Sequence, residues 1–156
     1  MKIGFVSLGC SKNQLDTEVM LHELAEAGYE ITPEETEADV VIINTCAFIE
    51  SAKKESIDNI LDIAWLKMHH KLQAIVVTGC LAERYRDSIF DELPEVDAVL
   101  GVGSIHNIVE AVEAVTTKRK KGSKRKYSSY EKNDCVRLGG DRVLTTADYT
   151  AYIKIA

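Results

Sequence analysis

Cys10, Cys46 and Cys80 are 36 and 34 residues apart, and each closes a short apolar run: Lys2–Ser7, Val40–Ile43 and Ala74–Val77. Thiolates ligate soft metals and attack electrophiles. Their neighbours Leu8-Gly9, Asn44-Thr45 and Thr78-Gly79 are mostly small or polar, which suits loops whose backbone must approach a cofactor and donate to sulfur. A single free cysteine is as readily a small buried hydrophobe; three at matching positions make coincidence a poor account. Cys135 lies 55 residues beyond Cys80, after a basic run, and is read as incidental.

Three thiolates leave one coordination position open. Zinc can use such a position, although catalytic zinc usually carries histidine or carboxylate ligands. The histidines here (His22, His69, His70 and His106) fall on predicted helices or their ends, away from the cysteine loops. A 4Fe–4S cluster held by three cysteines, with one iron left free, matches the softness of an all-thiolate set. Both centres stay open at this point. Other chemistries fit less well. Ser7–Asn13 has the position of a phosphate loop but lacks its glycine spacing. No histidine is placed as base to a cysteine nucleophile, and Glu34-Glu35 sits in an acidic loop.

The elements that would position the thiols follow from periodicity. Val40-Val41-Ile42-Ile43 and Ala74-Ile75-Val76-Val77 are near-continuous apolar runs, the mark of strands buried on both faces of a parallel sheet. Lys2–Ser7, Tyr29–Thr32 and Val96–Val102 complete five strands. Between them, apolar steps of three and four predict helices. One has Asn13 as N-cap and Asp16 in its first turn and stops at Gly28; others run over 49–68, from Leu81 to Ile89 before Pro94, and onward from Ser104 as cap. The expected fold is α/β, a three-layer, flavodoxin-like doubly wound parallel sheet in the order 2-1-3-4-5. That order makes the three cysteine-bearing strands neighbours. Their carboxyl ends share the sheet edge where such folds bind ligands, with the switch point between strands one and three.

After Thr117 the texture changes. Residues 118–126 hold seven of the 19 basic residues and no acid, which leaves 12 basic against 25 acidic residues elsewhere. An acidic body argues against direct nucleic-acid binding and suits a basic protein partner. No apolar stretch approaches the roughly 18 residues of a membrane span, and the start shows no signal cleavage pattern. A cytoplasmic chain with reduced cysteines is expected, so metal binding or catalysis is favoured over disulfides.

Ser7-Leu8-Gly9-Cys10-Ser11-Lys12-Asn13-Gln14-Leu15-Asp16, Ala38–Ile49 around Asn44-Thr45-Cys46, and Val77-Thr78-Gly79-Cys80-Leu81 resemble the opening motifs of the radical-SAM methylthiotransferases. Cys10-Ser11-Lys12-Asn13, Cys46-Ala47-Phe48-Ile49 and Ala52–Asp58 are most similar to the ribosomal-protein (RimO-type) branch rather than the tRNA-modifying one. The resemblance covers residues 1–116 and resumes at 149–156. It implies that Cys10, Cys46 and Cys80 bind an auxiliary 4Fe–4S cluster whose open iron carries the sulfur to be transferred. It further implies methylthiolation of the β-carbon of an aspartate in protein S twelve of the small ribosomal subunit, with S-adenosylmethionine as methyl donor and radical source. Asn13, Asn44, Thr45 and Gly79 are expected, from position, to support the thiolates.

The family's CxxxCxxC motif, which holds a second 4Fe–4S cluster, does not occur in the sequence. The expectation is therefore a cluster domain over 1–116, a basic linker over 117–148, and the truncated first strand of a radical-SAM domain over 149–156, without catalytic residues and inactive alone. The alternatives are the same domain from a tRNA-adenosine methylthiotransferase, or a non-enzymatic zinc or thiol module.

Overall fold

The computed structural model describes residues 1–117, 126–132, 141–147, 150 and 152. Six strands form one sheet in the order β2-β1-β3-β4-β5-β6: β1 (Lys2–Ser7), β2 (Glu30–Thr32), β3 (Val40–Thr45), β4 (Ala74–Gly79), β5 (Ala98–Leu100) and β6 (Tyr127–Ser129). Every pairing is parallel. The expected flavodoxin-like order holds for its five strands, and a sixth extends it.

All six residues of β3 and of β4 are buried, as a two-faced apolar strand requires. Alternation then divides the core. Val41, Ile43, Ile75, Val77 and Val99 face one side, while Val40, Ile42, Ala74, Val76 and Leu100 face the other. The helices α1 (Ser11–Glu26) and α5 (Ile108–Thr116) cover the second side; α2 (Glu50–His69), α3 (Cys80–Tyr85) and α4 (Ser88–Glu92) cover the first. Strands are added to one side of β1 and then to the other, so α1 and α2 lie on opposite faces as right-handed connections demand.

Four local expectations are corrected. Asn13 does not cap the first helix, which begins at Ser11 with Cys10 at the cap and no side-chain cap bond; the Asn13 side chain is 3% exposed and bonded elsewhere. The helix expected from Leu81 to Ile89 is two helices, because Arg86 turns into a left-handed φ of 46° between them. Ser104 lies inside a 3-10 turn over Val102–Asn107 rather than capping α5; its hydroxyl accepts from Glu131 N and Ser129 Oγ. Tyr127–Ser129, read as loop, is β6, with Lys126 reaching the carbonyls of Pro94 and Val96. The basic stretch over 118–125, Cys135 and most of the strand expected over 149–156 lie outside the described residues. No helix among the described residues is long and apolar enough to cross a membrane.

Candidate metal centre

Cys10 caps α1 directly after β1, Cys46 follows β3, and Cys80 opens α3 at the end of β4. The register of β1, β3 and β4 runs Ser7↔Asn44 and Asn44↔Thr78, so the three cysteine loops leave one edge side by side. With strands about 4.8 Å apart, those loops span roughly 10 Å of backbone. Cys10 is exposed, Cys46 buried and Cys80 partly buried, and all three are free thiols. Burial pushes the Cys80 thiol above its ordinary value; the nearby Cys46 and Cys10 sulfurs add to the rise, and Lys12 opposes it.

A hydrogen-bonded frame locks the loops together. Asn13 Nδ2 donates to Leu8 O at 2.9 Å and Thr45 O at 3.0 Å, joining the first and second cysteine loops. Its Oδ1 lies 3.9 Å from Cys80 Sγ, which brings in the third. Asn44 Nδ2 returns the bond to Asn13 O at 2.8 Å and also reaches Thr17 Oγ1 at 3.1 Å. Thr45 Oγ1 donates to Thr78 O. Gly79 has φ +91°, and a Cβ there would stand 2.4 Å from both Asn44 Oδ1 and Thr45 O, so no side chain fits. Gly9, at φ +104°, lets the first loop pass close to Cys46: an added Cβ would lie 3.2 Å from its sulfur. All four residues expected to support the thiolates are thus in the frame around them.

Three other contributors went unread in the sequence. Ser56 on α2 is fully buried; its hydroxyl accepts from Cys46 N at 3.0 Å and donates to Cys46 O at 2.9 Å. It interrupts the inward stripe that Ile60, Ile63 and Ala64 continue, and a polar residue at a core position was the available signal. Thr17 binds Ser7 Oγ at 3.0 Å as well as Asn44. Glu18, 1% exposed, receives Thr145 N and Thr145 Oγ1, each at 2.9 Å, while Arg142 Nη1 stands 3.6 Å away. That carboxylate straps 142–145 across α1. Thr145 and Tyr152 line, together with Cys10, Ser7 and Phe5, a cleft of about 430 Å³.

Among the described residues, no group of three or more His, Cys, Asp or Glu side chains is arranged to hold a metal ion as it stands. The three thiols share one edge of the sheet. Three soft sulfurs and an exposed first ligand suit an iron–sulfur centre in donor type. The histidines stand elsewhere: His106 Nδ1 pairs with Glu23 at 2.6 Å, and His69 stacks on Trp65.

A family model described as "Uncharacterized protein family UPF0004" matches residues 2–101, a span with all three of these cysteines. The chain is 44% identical, over all of its 156 residues, to the ribosomal protein uS12 methylthiotransferase RimO of Lachnoclostridium phytofermentans. It is 46% identical over 154 residues to the protein of that name from Thermoanaerobacter sp., and 42% identical over 156 residues to that of Clostridium botulinum. In each case 99–100% of the chain is aligned against 34% of the relative. The chain spans about a third of the length of the curated relatives it matches.

Proposed function

The chain belongs to the family described as Uncharacterized protein family UPF0004, and on that premise we propose that it is the iron–sulfur domain of a methylthiotransferase acting on ribosomal protein uS12. The observation that carries the reading is the shared edge: three cysteines, at the ends of three adjacent parallel strands, tied by one asparagine frame.

In this reading the thiolates of Cys10, Cys46 and Cys80 hold an auxiliary 4Fe–4S cluster, which, when bound, supplies an iron with an open position for the sulfur to be transferred. The residues of the chain divide the remaining work. Asn13, Asn44, Thr45 and Gly79 fix the spacing of the three loops. Ser56 holds the Cys46 backbone from below. Cys80, whose protonated form is favoured by burial, must lose its proton on ligation, so loading releases protons and is favoured at higher pH. Radical generation from S-adenosylmethionine belongs to the rest of the longer enzyme.

Metal analysis tests the assignment. After anaerobic reconstitution, the wild-type chain is expected to hold about four iron and four acid-labile sulfide. Cys10→Ala, Cys46→Ala and Cys80→Ala each lose them, and Cys135→Ala keeps them. Zinc without sulfide, or full iron in any of the three single variants, overturns the reading.

A further inference from the structure

The sequence has more acids than bases, 25 against 19; of the basic side chains near the cysteine loops, Lys12, whose charge acts on the Cys80 thiol, has no carboxylate partner among the described residues, whereas Lys53 and Arg86 do. Lys53 lies 3.6 Å from Glu50, and Arg86 bonds Glu83 at 2.8 Å. Arg84 differs. It is exposed, and among the described residues no carboxylate pairs with it. Among the described residues it makes one hydrogen bond, a long 3.5 Å contact from Nη1 to Ala47 O. The neighbouring acid cannot swing over: Glu83 Oε1 holds Arg86, and Oε2 accepts Val102 N at 3.0 Å.

Its position is as notable as its unused donors. Arg84 lies four residues after Cys80 on α3, so the two share a helix face. Through Ala47 it touches the residue that follows Cys46. The guanidinium thus links α3, which Cys80 opens, to the residue after Cys46, and its Cζ lies over Tyr85, 5.7 Å from the ring centroid. A guanidinium offers five N–H donors in a planar fork that matches a carboxylate in two parallel bonds.

We propose that Arg84 is the carboxylate-binding residue of this site, placing an aspartate side chain of the substrate beside the thiol edge. The proposal rests on the methylthiotransferase reading for its substrate, but the binding itself is testable without a cluster or a reaction. It makes Arg84 a specificity determinant for an acidic side chain over its amide.

Affinity alkylation of the reduced 156-residue chain provides the test. Iodoacetate carries a carboxylate and iodoacetamide does not; with either reagent a thiolate displaces iodide and forms an S–C bond. Peptide mass spectrometry gives the ratio of the two rates at Cys80. In Arg84→Gln the ratio is expected to fall about fivefold, with the iodoacetamide rate unchanged, which also reports an intact fold. N-acetyl-aspartate amide is expected to slow the iodoacetate reaction of the wild-type chain, and N-acetyl-asparagine amide is not. Lys53→Gln, which removes a nearby charge without the fork, should leave the ratio within twofold. An unchanged ratio in Arg84→Gln, or an equal fall in Lys53→Gln, overturns the proposal. Because the chain is assayed without iron, a failed metal assignment and a failed Arg84 assignment are read separately.

Discussion

Ser56→Ala removes one oxygen atom, 10 residues along the chain from the cysteine it serves. In the wild-type protein that oxygen satisfies both the N–H and the C=O of Cys46, in a place where Ser56 has no exposure and Cys46 has 8%. Alanine leaves both backbone groups buried without this partner. Each unsatisfied group costs about 1–3 kcal/mol, so the variant is expected to lose roughly 2–6 kcal/mol. With a urea m value of about 2 kcal/mol/M for a domain of this size, the unfolding midpoint falls by roughly 1–3 M at unchanged m. Circular dichroism in urea under reducing conditions reads this directly. Ser51→Ala, exposed in the first turn of the same helix, is the comparison and should move by less than about 0.5 kcal/mol. The loss should also appear locally. Iodoacetamide should reach Cys46 at least tenfold faster in Ser56→Ala, because opening of the β3–α2 loop becomes cheaper. A Ser56→Ala midpoint within about 0.25 M of wild type would refute the idea that this hydroxyl holds the second cysteine loop.

Two further outcomes follow from the same geometry. Removing the buried carboxylate in Glu18→Ala frees Thr145 and Arg142, so trypsin should cut after Arg142 about tenfold faster than in wild type; equal rates would mean that the strap is not held by Glu18. The Cys80 thiol is raised by burial and by the other two sulfurs. Its neutral form is therefore favoured by folding, and the stability this contributes is present below the ordinary cysteine range and lost as pH climbs through the raised value. The pH profile of iodoacetamide reaction at Cys80 should have its midpoint above 9.0, the ordinary thiol value, and a midpoint at or below that value would contradict the packing.

What was legible in the sequence depended on how strongly burial constrains residue type. β3 and β4 could be placed from their valine and isoleucine runs because both faces of a central strand must be apolar. The cysteine loops followed from the strand ends. β6 left no such trace: among the described residues Tyr127-Ser128-Ser129 ends the sheet and pairs with β5 alone, and its short polar run, with Ser129 bonded to Ser104 and Asn107, has no apolar pattern. Asn13 has the right chemistry for a cap, yet its amide is used across three loops, a demand that comes from tertiary structure and leaves no local pattern. The break at Arg86 is similar, since neither glycine nor proline marks it. Ser56 and Glu18 are polar residues on core faces, legible only once the face of each helix is known.

The all-parallel sheet also governs when the site comes into being. Adjacent parallel strands cannot be joined by a hairpin, so Cys10, Cys46 and Cys80, successively 36 and 34 positions apart, meet only after the long connections between β1, β3 and β4 have closed. Contacts of such sequence separation are slow to form, because loop-closure entropy must be lost before pairing rewards it. The thiols are thus dispersed in the unfolded chain and gathered only as β1, β3 and β4 pair, and a reducing environment matters most in the interval before those strands have paired.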